Sequence, residues 1–276
     1  MSIFHAIVLG LVQGLTEFLP ISSSGHLILT PWLFGWNDFS NLETQRAFDA
    51  ALHLGTLVAV LFYLRADLVP YVREGIKVVV VPKKANITIG RRAWMFVLSA
   101  VPAGIAGAFA EDWITRKLGT PALIAISLMV FGVVLVWADR QTGTRDLDSF
   151  STRDALLIGA AQVLALNPGT SRSGITITAA RKFGFSRDAA ARVSFLMSVP
   201  VIGGAVLLKL TKLASDGIPD GLIIPMIAGI ISAGISGWIA MWGMIRLLRS
   251  RSFTPFVMYR FVAGIAVLAL LSTSFR

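Results

Sequence analysis

The sequence of 276 residues is 55% hydrophobic and only 14% charged, and its mean hydropathy is +0.74. These values exclude an ordinary soluble domain of this length and indicate an integral membrane protein. The formal net charge of +10 does not indicate nucleic-acid binding, because Lys and Arg collect in the short connections between apolar runs. Cysteine is absent, which excludes disulfides, thiol nucleophiles and thiolate metal sites.

The first element in the chain is an apolar segment with a polar break. Residues 3–18 are apolar, Pro20 and a serine cluster follow, and 26–36 is too short to cross a membrane. We predict a re-entrant helical hairpin over 3–36. Irregular backbone at membrane depth is tolerated only where protein or a water-filled cavity satisfies its polar groups. The break is therefore expected to line a site.

Six apolar runs are predicted to span the membrane as helices: 47–64, 93–110, 121–138, 193–213, 222–248 and 256–271. Between the first two runs, residues 68–81 are interrupted by Arg73, Glu74 and Lys77, which predicts a helix lying on the membrane surface. A second broken segment, 155–185, has Asn167-Pro168-Gly169 at its break and predicts a second re-entrant hairpin.

The two broken segments match each other. Gln13, Ser22 and Gly25 correspond to Gln162, Ser171 and Gly174 at one constant offset, which predicts an internal duplication with a first repeat over 1–140 and a second over 141–276. A hairpin returns to its starting side whereas three spans change sides, so the second repeat must enter from the opposite face. We therefore predict one all-α membrane domain built as an inverted-topology repeat, each half a re-entrant helical hairpin plus three transmembrane helices.

Sidedness follows from the basic residues. Those of 65–92 and those around 140–153 and 181–192 fall on the same predicted side, which the positive-inside rule makes cytoplasmic. Both termini and the opening of the first hairpin are then predicted to face the periplasm.

The first break carries groups suited to phosphate chemistry. Glu17 and His26 are ionisable residues in an apolar segment, where a charge costs at least about 2.5–3.5 kcal/mol and marks a functional site by default. Gln13 lies four residues before Glu17 and shares its helix face. A helix N-terminus, which commonly binds phosphate, is expected to follow. Small residues lie at this N-terminus: Ser22, Ser23, Ser24 and Gly25.

The second break repeats this design and adds Arg172, whose planar guanidinium binds phosphate in a bidentate fashion. Its other candidate phosphate-binding residues are Gly169, Ser171, Ser173 and Thr176. Two facing breaks would enclose a phosphate, and the groups suit phosphoryl transfer, in which positioning and charge stabilisation supply most of the rate.

Other interpretations of these residues remain open. The serine-rich breaks can serve close helix packing, and Glu17, His26 and Arg172 can form a buried ion pair that joins the halves. His53 stands without nearby acids in the sequence and is expected to serve packing or bonding between helices. A secondary transporter or lipid flippase for an anionic substrate would share the inverted-repeat architecture. A structural scaffold would leave the intramembrane charges without a role.

Both motifs, 13–26 and 168–176, resemble those of the undecaprenyl-diphosphate phosphatase family associated with bacitracin resistance, and the resemblance continues through 256–261. It implies a bacterial inner-membrane hydrolase that removes the terminal phosphate of undecaprenyl diphosphate for peptidoglycan synthesis. Bacitracin would then compete for the substrate rather than bind the protein.

The resemblance further implies that Glu17, His26 and Arg172 are essential and that Ser23 is a candidate nucleophile, with His26 or water as alternatives. It implies a divalent cation, Mg²⁺ or Ca²⁺, with Glu17 as a ligand. The family's first motif often begins with an acid where this chain has Gln13, which places a second acidic ligand in doubt. A homodimer is possible on sequence grounds, and nucleic acid is not expected as a partner.

Overall fold

The computed structural model describes residues 1–39, 42–217, 221–248 and 250–273. Within these ranges eleven α-helices follow one another. In chain order they are α1 (Ile3–Phe18), α2 (Ser23–Phe34), α3 (Leu42–Tyr63), α4 (Arg65–Val80), α5 (Ile87–Leu118), α6 (Pro121–Asp139), α7 (Thr152–Gln162), α8 (Arg172–Lys182), α9 (Arg187–Asp216), α10 (Ile223–Leu248) and α11 (Thr254–Leu271). The last three residues, predicted to be periplasmic, lie outside the described residues.

Six of these helices, α3, α5, α6, α9, α10 and α11, are long and apolar enough to cross a membrane. They coincide with the six predicted runs, and the chain is therefore a multi-pass membrane protein. The main difference is at helix ends, since α5 begins six residues before the predicted run 93–110 and ends eight residues after it. Apolar composition marks where lipid contact stops, whereas helix ends are set by caps: Asn86 Oδ1 accepts a hydrogen bond from Ile89 N at 3.2 Å, and Gly119 follows the last residue.

Two pairs of short helices flank the two sequence breaks. Helices α1 and α2 have 16 and 12 residues, and α7 and α8 have 11 each, all shorter than the roughly 20 residues of a helical span. The N-cap residues of α2 and α8 are Ser22 and Ser171, with φ of 75° and 76°. Each serine hydroxyl accepts a hydrogen bond from the backbone N–H three residues later, at Gly25 and Gly174. The two breaks thus share an unusual backbone geometry that costs a non-glycine residue energy.

Helix α4 covers most of the predicted surface helix 68–81. It packs against α5, where Trp94 Nε1 donates a hydrogen bond to Gly75 O at 3.1 Å. Its outer face carries an apolar stripe, Val69, Val72, Ile76 and Val79, whose exposed fractions are between 58% and 65%. Such a stripe fits contact with lipid, and the position of α4 at the membrane surface stays a prediction.

Close packing holds the first broken pair inside the bundle. Helix α1 lies against α10, where a Cβ atom at Gly14 would collide with Ala233 O and Ser236 Oγ, so only glycine permits this approach. At the end of α1, the buried Phe18 ring meets that of Phe195 on α9 edge to face, 5.6 Å between centroids. These contacts fix where α1 ends and therefore where the first break begins.

Candidate active site

The two breaks lie against each other and exchange hydrogen bonds. The Ser22 hydroxyl of the first break accepts from Gly169 N of the second at 3.0 Å. In return, Ser173 Oγ donates to Leu19 O, also at 3.0 Å. The N-termini of α2 and α8 therefore meet at one place, as expected from the sequence.

Arg260 on α11 joins the two breaks and was not among the candidates from sequence. Its side chain is fully buried and donates to carbonyl oxygens on three sides. The acceptors are Pro20 O of the first break (3.0 Å), Gly169 O and Thr170 O of the second (2.7 and 3.0 Å) and Leu128 O of α6 (2.7 Å). The three carbonyls at the breaks lie outside helices, and the guanidinium supplies the donors that a helix would otherwise provide, whereas Leu128 O lies inside α6. The sequence feature that could have identified Arg260 is an arginine within an apolar run.

Glu17 is the centre of the polar cluster. Its Oε2 atom accepts hydrogen bonds from Ser23 Oγ at 2.7 Å and from Gln13 Nε2 at 3.0 Å. Its Oε1 atom accepts from Arg172 Nη2 at 3.0 Å. The carboxylate is 5% exposed and the Arg172 side chain 11% exposed, so this is a nearly buried ion pair between the two broken segments. A serine hydroxyl held by a carboxylate, beside an arginine, is an arrangement that can activate an oxygen nucleophile toward an anionic group.

Arg172 keeps one donor unused. Its Nη1 donates to Ser194 O at 3.0 Å and its Nη2 to Glu17, but its Nε is buried with no hydrogen-bond partner among the described residues. A buried donor without a partner costs about 1–3 kcal/mol. A phosphate oxygen is a strong acceptor that would remove this cost.

His53 on α3 contacts the same carboxylate, which agrees with the expected bonding between helices, although its partner is an acid far away in the sequence. Its Nε2 lies 3.6 Å from Glu17 Oε2, and its Nδ1 is 2.7 Å from Asp49 O. Because a carbonyl oxygen only accepts, Nδ1 carries a proton and Nε2 is the nitrogen that faces Glu17. The contact runs between two different helices, which residue spacing along the chain does not reveal.

His26 contacts the first break and α11. Its Nδ1 is 2.7 Å from Ser22 O, and its Nε2 is 2.8 Å from the hydroxyl of Tyr259 on α11, whose ring stacks on the imidazole. The hydrogen-bond and ion-pair partners of Glu17 among the described residues do not include His26. The ion pair weighed from the sequence consists of Glu17 and Arg172, without His26.

The remaining predicted residues shape the two breaks. Ser24 Oγ is 3.4 Å from Ser22 Oγ, and Ser171 Oγ is 3.1 Å from Ser173 Oγ. Thr176 is fully buried, and its hydroxyl contacts Ser194 Oγ at 2.7 Å, which fastens α8 to α9. Its predicted contact with substrate stays a prediction.

Glycine is required where the breaks touch. A Cβ atom at Gly25 would lie 3.1 Å from Ile124 Cγ2 and 3.3 Å from Gly169 N, both tighter than ordinary contacts. Gly169 itself has φ of +94°, a conformation that L side chains rarely adopt. Both glycines therefore have a structural reason for their place in the motifs.

A divalent cation bound directly to Glu17 does not fit this donor set. No group of three or more His, Asp and Glu side chains in the described part of the chain is arranged to hold a metal ion. Both Glu17 oxygens accept hydrogen bonds, and one faces the Arg172 guanidinium, which repels a cation at the same carboxylate. Mg²⁺ and Ca²⁺ prefer several free oxygen ligands.

Known proteins resemble this chain over nearly its whole length. Residues 6–266 match the family model described as bacitracin resistance protein BacA. A protein of Geobacter sulfurreducens named undecaprenyl-diphosphatase is 46% identical over 274 residues, covering 98% of this chain and 99% of the relative. Proteins of the same name from Hahella chejuensis and Thermomicrobium roseum are 44% and 42% identical, over 98% and 99% of this chain and 99% of each relative. The chain belongs to the bacitracin resistance protein BacA family.

Proposed function

We propose that this protein is an undecaprenyl-diphosphate phosphatase, which hydrolyses the terminal phosphate of a C55 prenyl diphosphate and leaves the monophosphate. The relatives named undecaprenyl-diphosphatase support the substrate. The observation that carries the chemistry is the hydrogen bond of 2.7 Å from Ser23 Oγ to Glu17 Oε2, with Arg172 on the other carboxylate oxygen. Nucleophile, base and anion-binding group thus occupy one buried cluster.

We propose the inverted-topology repeat as the architecture of this site. The equal φ values of Ser22 and Ser171, and the reciprocal hydrogen bonds between the breaks, support two equivalent broken segments that face each other. The short lengths of α1, α2, α7 and α8 support re-entrant hairpins. The phosphates would then react near the bilayer midplane while the prenyl chain lies between spans.

In the proposed reaction, Ser23 Oγ attacks the terminal phosphorus and passes its proton to Glu17 Oε2. A new P–O bond to serine forms as the bridging P–O bond of the diphosphate breaks, and undecaprenyl monophosphate leaves with the bridging oxygen. Water then attacks the phosphoserine, Glu17 returns a proton to Ser23 Oγ, and inorganic phosphate leaves. Arg172 stabilises the charge on the transferred phosphoryl oxygens.

Ser23 is favoured over His26 as the nucleophile because of their contacts. The Ser23 hydroxyl is held by a carboxylate base, whereas both imidazole nitrogens of His26 already contact oxygen atoms, those of Ser22 and Tyr259. We propose His53 as a second group that stabilises the Glu17 carboxylate. Mg²⁺ or Ca²⁺ stays a proposed cofactor, and no step of the reaction is derived through it because the cluster around Glu17 does not fit a directly bound cation.

Phosphate release from a prenyl diphosphate in detergent tests this function. We expect release by the wild-type protein and a loss of at least about 100-fold in Ser23→Ala, Glu17→Ala and Arg172→Ala, because each removes a group that acts in the transition state. The matched control is Ser272→Ala, since the exposed Ser272 hydroxyl lies outside both breaks and donates only to Ala269 O of its own helix. A parallel series with EDTA and added cation tests the cation. Wild-type turnover in a folded Glu17→Ala or Arg172→Ala protein would contradict the site.

A secondary transporter or lipid flippase for an anionic substrate is the second candidate, because paired broken helices are typical of transporters. The hydroxyl held by Glu17 favours the enzyme, since binding an anion does not need a base. A folded wild-type protein that binds the prenyl diphosphate but releases no phosphate, with cation supplied, would favour transport.

We propose that the site opens to the periplasm of the bacterial inner membrane and that both termini lie there. The absence of cysteine makes single-cysteine labelling direct. Lys117→Cys and Lys83→Cys probe exposed residues on the two predicted sides. An impermeant maleimide added to cells with a permeable outer membrane is expected to label position 117 and spare position 83, and the reverse pattern would overturn the orientation.

A further inference from the structure

A cavity of about 430 Å³ lies at the end of the bundle where α6, α8 and α10 end and α9 begins. Arg181, which lines it, is near the opposite end of α8 from Arg172, so the cavity is distinct from the cluster around Glu17. The charged residues that line it are Asp139, Arg140, Arg181 and Arg187, and the rest of the lining consists of a short polar loop and Leu248.

The cavity carries an excess of positive charge. Asp139 pairs with both Arg181 Nε (3.3 Å) and Arg187 Nε (2.7 Å), and it accepts a hydrogen bond from Phe253 N at the start of α11. This cluster connects four helices and gives Arg181 and Arg187 a structural role. The cluster gives no such role to Arg140, which is exposed at the cavity. One carboxylate beside three guanidinium groups leaves the cavity with two excess positive charges.

Two cation–aromatic pairs mark the level of this cavity relative to a membrane. Lys182 Nζ lies 4.3 Å above the ring of Trp137, and the guanidinium of Arg246 lies 5.6 Å from the ring of Trp242. The two tryptophans are 52% and 48% exposed on the apolar outer surface. Exposed tryptophan beside a cation at the end of a spanning helix is typical of the headgroup layer. Because α6 and α10 end two residues after Trp137 and Arg246, the cavity lies in that layer.

We propose that this cavity binds the phosphate of an anionic phospholipid headgroup, with Arg140 and Arg187 as the phosphate contacts. The apolar outer face of α6 continues from the cavity into the bundle surface, where Val130 and Val133 are 50% and 54% exposed and offer a surface for the acyl chains. Basic cavities between membrane helices on the cytoplasmic side bind anionic headgroups in this way. The assignment is independent of the phosphatase reaction.

Lipid retention by purified protein tests this site. The full chain is exchanged into mixed micelles containing phosphatidylglycerol or phosphatidylcholine, and bound lipid is quantified by native mass spectrometry across a lipid titration. We expect tighter binding of phosphatidylglycerol, weakened about fivefold by Arg140→Gln, since one arginine near a headgroup contributes about 1 kcal/mol and 1.4 kcal/mol is tenfold. The matched control is Arg153→Gln, which removes the same charge from an exposed residue outside the cavity.

Three results would overturn the proposal. The first is equal retention of the two lipids by the wild-type protein, and the second is an equal loss of phosphatidylglycerol binding in the Arg140→Gln and Arg153→Gln variants. The third is binding of inorganic phosphate alone that equals the binding of phosphatidylglycerol. The last result would assign the cavity to a free anion. Phosphate release from a prenyl diphosphate is measured on the same samples and is expected to be unchanged in both variants, which establishes that they are folded.

Discussion

Replacement of Arg260 by leucine is expected to disrupt both breaks at once. Arg260 makes four hydrogen bonds of 3.0 Å or less to carbonyl oxygens of the two breaks and α6. Leucine leaves the three acceptors at the breaks, Pro20 O, Gly169 O and Thr170 O, buried without this donor, at about 1–3 kcal/mol each, whereas Leu128 O keeps its donor within α6. Even the lower limit, about 3 kcal/mol, is a large part of the roughly 5–15 kcal/mol that stabilises a typical domain. We therefore expect a much lower stability and at least about a 100-fold loss of phosphate release.

Unfolding by denaturing detergent, followed by circular dichroism, measures the stability of this variant. The control is Arg246→Leu, which removes an arginine from the outer surface, where its contact with Trp242 is worth about 0.5–1 kcal/mol. Arg260→Lys keeps a charge but has three donors on one nitrogen, and is expected to be intermediate. If Arg260→Leu unfolded at the same detergent concentration as Arg246→Leu and kept its activity, the assigned role of Arg260 would be refuted.

Three further substitutions test the site and its support. Gly25→Ala crowds the second break and is expected to lower activity about tenfold. Gly104→Ala, whose added Cβ would have nothing within 4 Å, is expected to keep its activity. Equal activities of the two variants would count against a close contact between Gly25 and the second break. His53→Leu is expected to lower kcat about tenfold, and His53→Gln, which keeps an N–H donor, to retain most activity. Burial alone would raise the pKa of the Asp154 carboxyl, but hydrogen bonds, led by that from Arg145, lower the pKa. Asp154→Asn should therefore cost about 1–2 kcal/mol of stability at pH 7. Because the folded-state pKa of Asp154 lies below its ordinary value of about 4, the difference should begin to shrink as the pH falls below about 4 and should vanish once the pH has fallen through the folded-state pKa; a difference that did not shrink at all in acid would be inconsistent with this pairing.

The spanning helices could be predicted from sequence because a run of about 20 apolar residues is a local property of the chain. Their ends could not be predicted to the residue. In α5, the charged residues outside the apolar run continue the helix as far as Leu118, since neither Arg nor Lys opposes helix formation.

The motif residues of the candidate site were predictable because each violates the apolar pattern around it. Glu17 and Arg172 fall in broken segments, and the structure brings them within 3.0 Å. The contacts of His53 and Arg260 depend on how α3 and α11 are rotated against α1 and α2, which one sequence does not determine. The rule that drew attention to Glu17, that an ionisable residue in lipid needs a partner, applied equally to Arg260.

The hydrogen bonds exchanged between the breaks have a consequence for biosynthesis. The Ser22 hydroxyl cannot form its hydrogen bond until Gly169, 147 residues later in the chain, has been synthesised. Leu19 O likewise lacks its donor until Ser173, 154 residues later, has been made. At a synthesis rate of about 5–20 residues per second, roughly 7–30 s separate the emergence of the two segments from the ribosome. In the proposed re-entrant arrangement, the first hairpin would have its polar groups at membrane depth during this interval without their final partners. The insertion machinery, water or lipid headgroups would then have to satisfy these groups until the second hairpin is made.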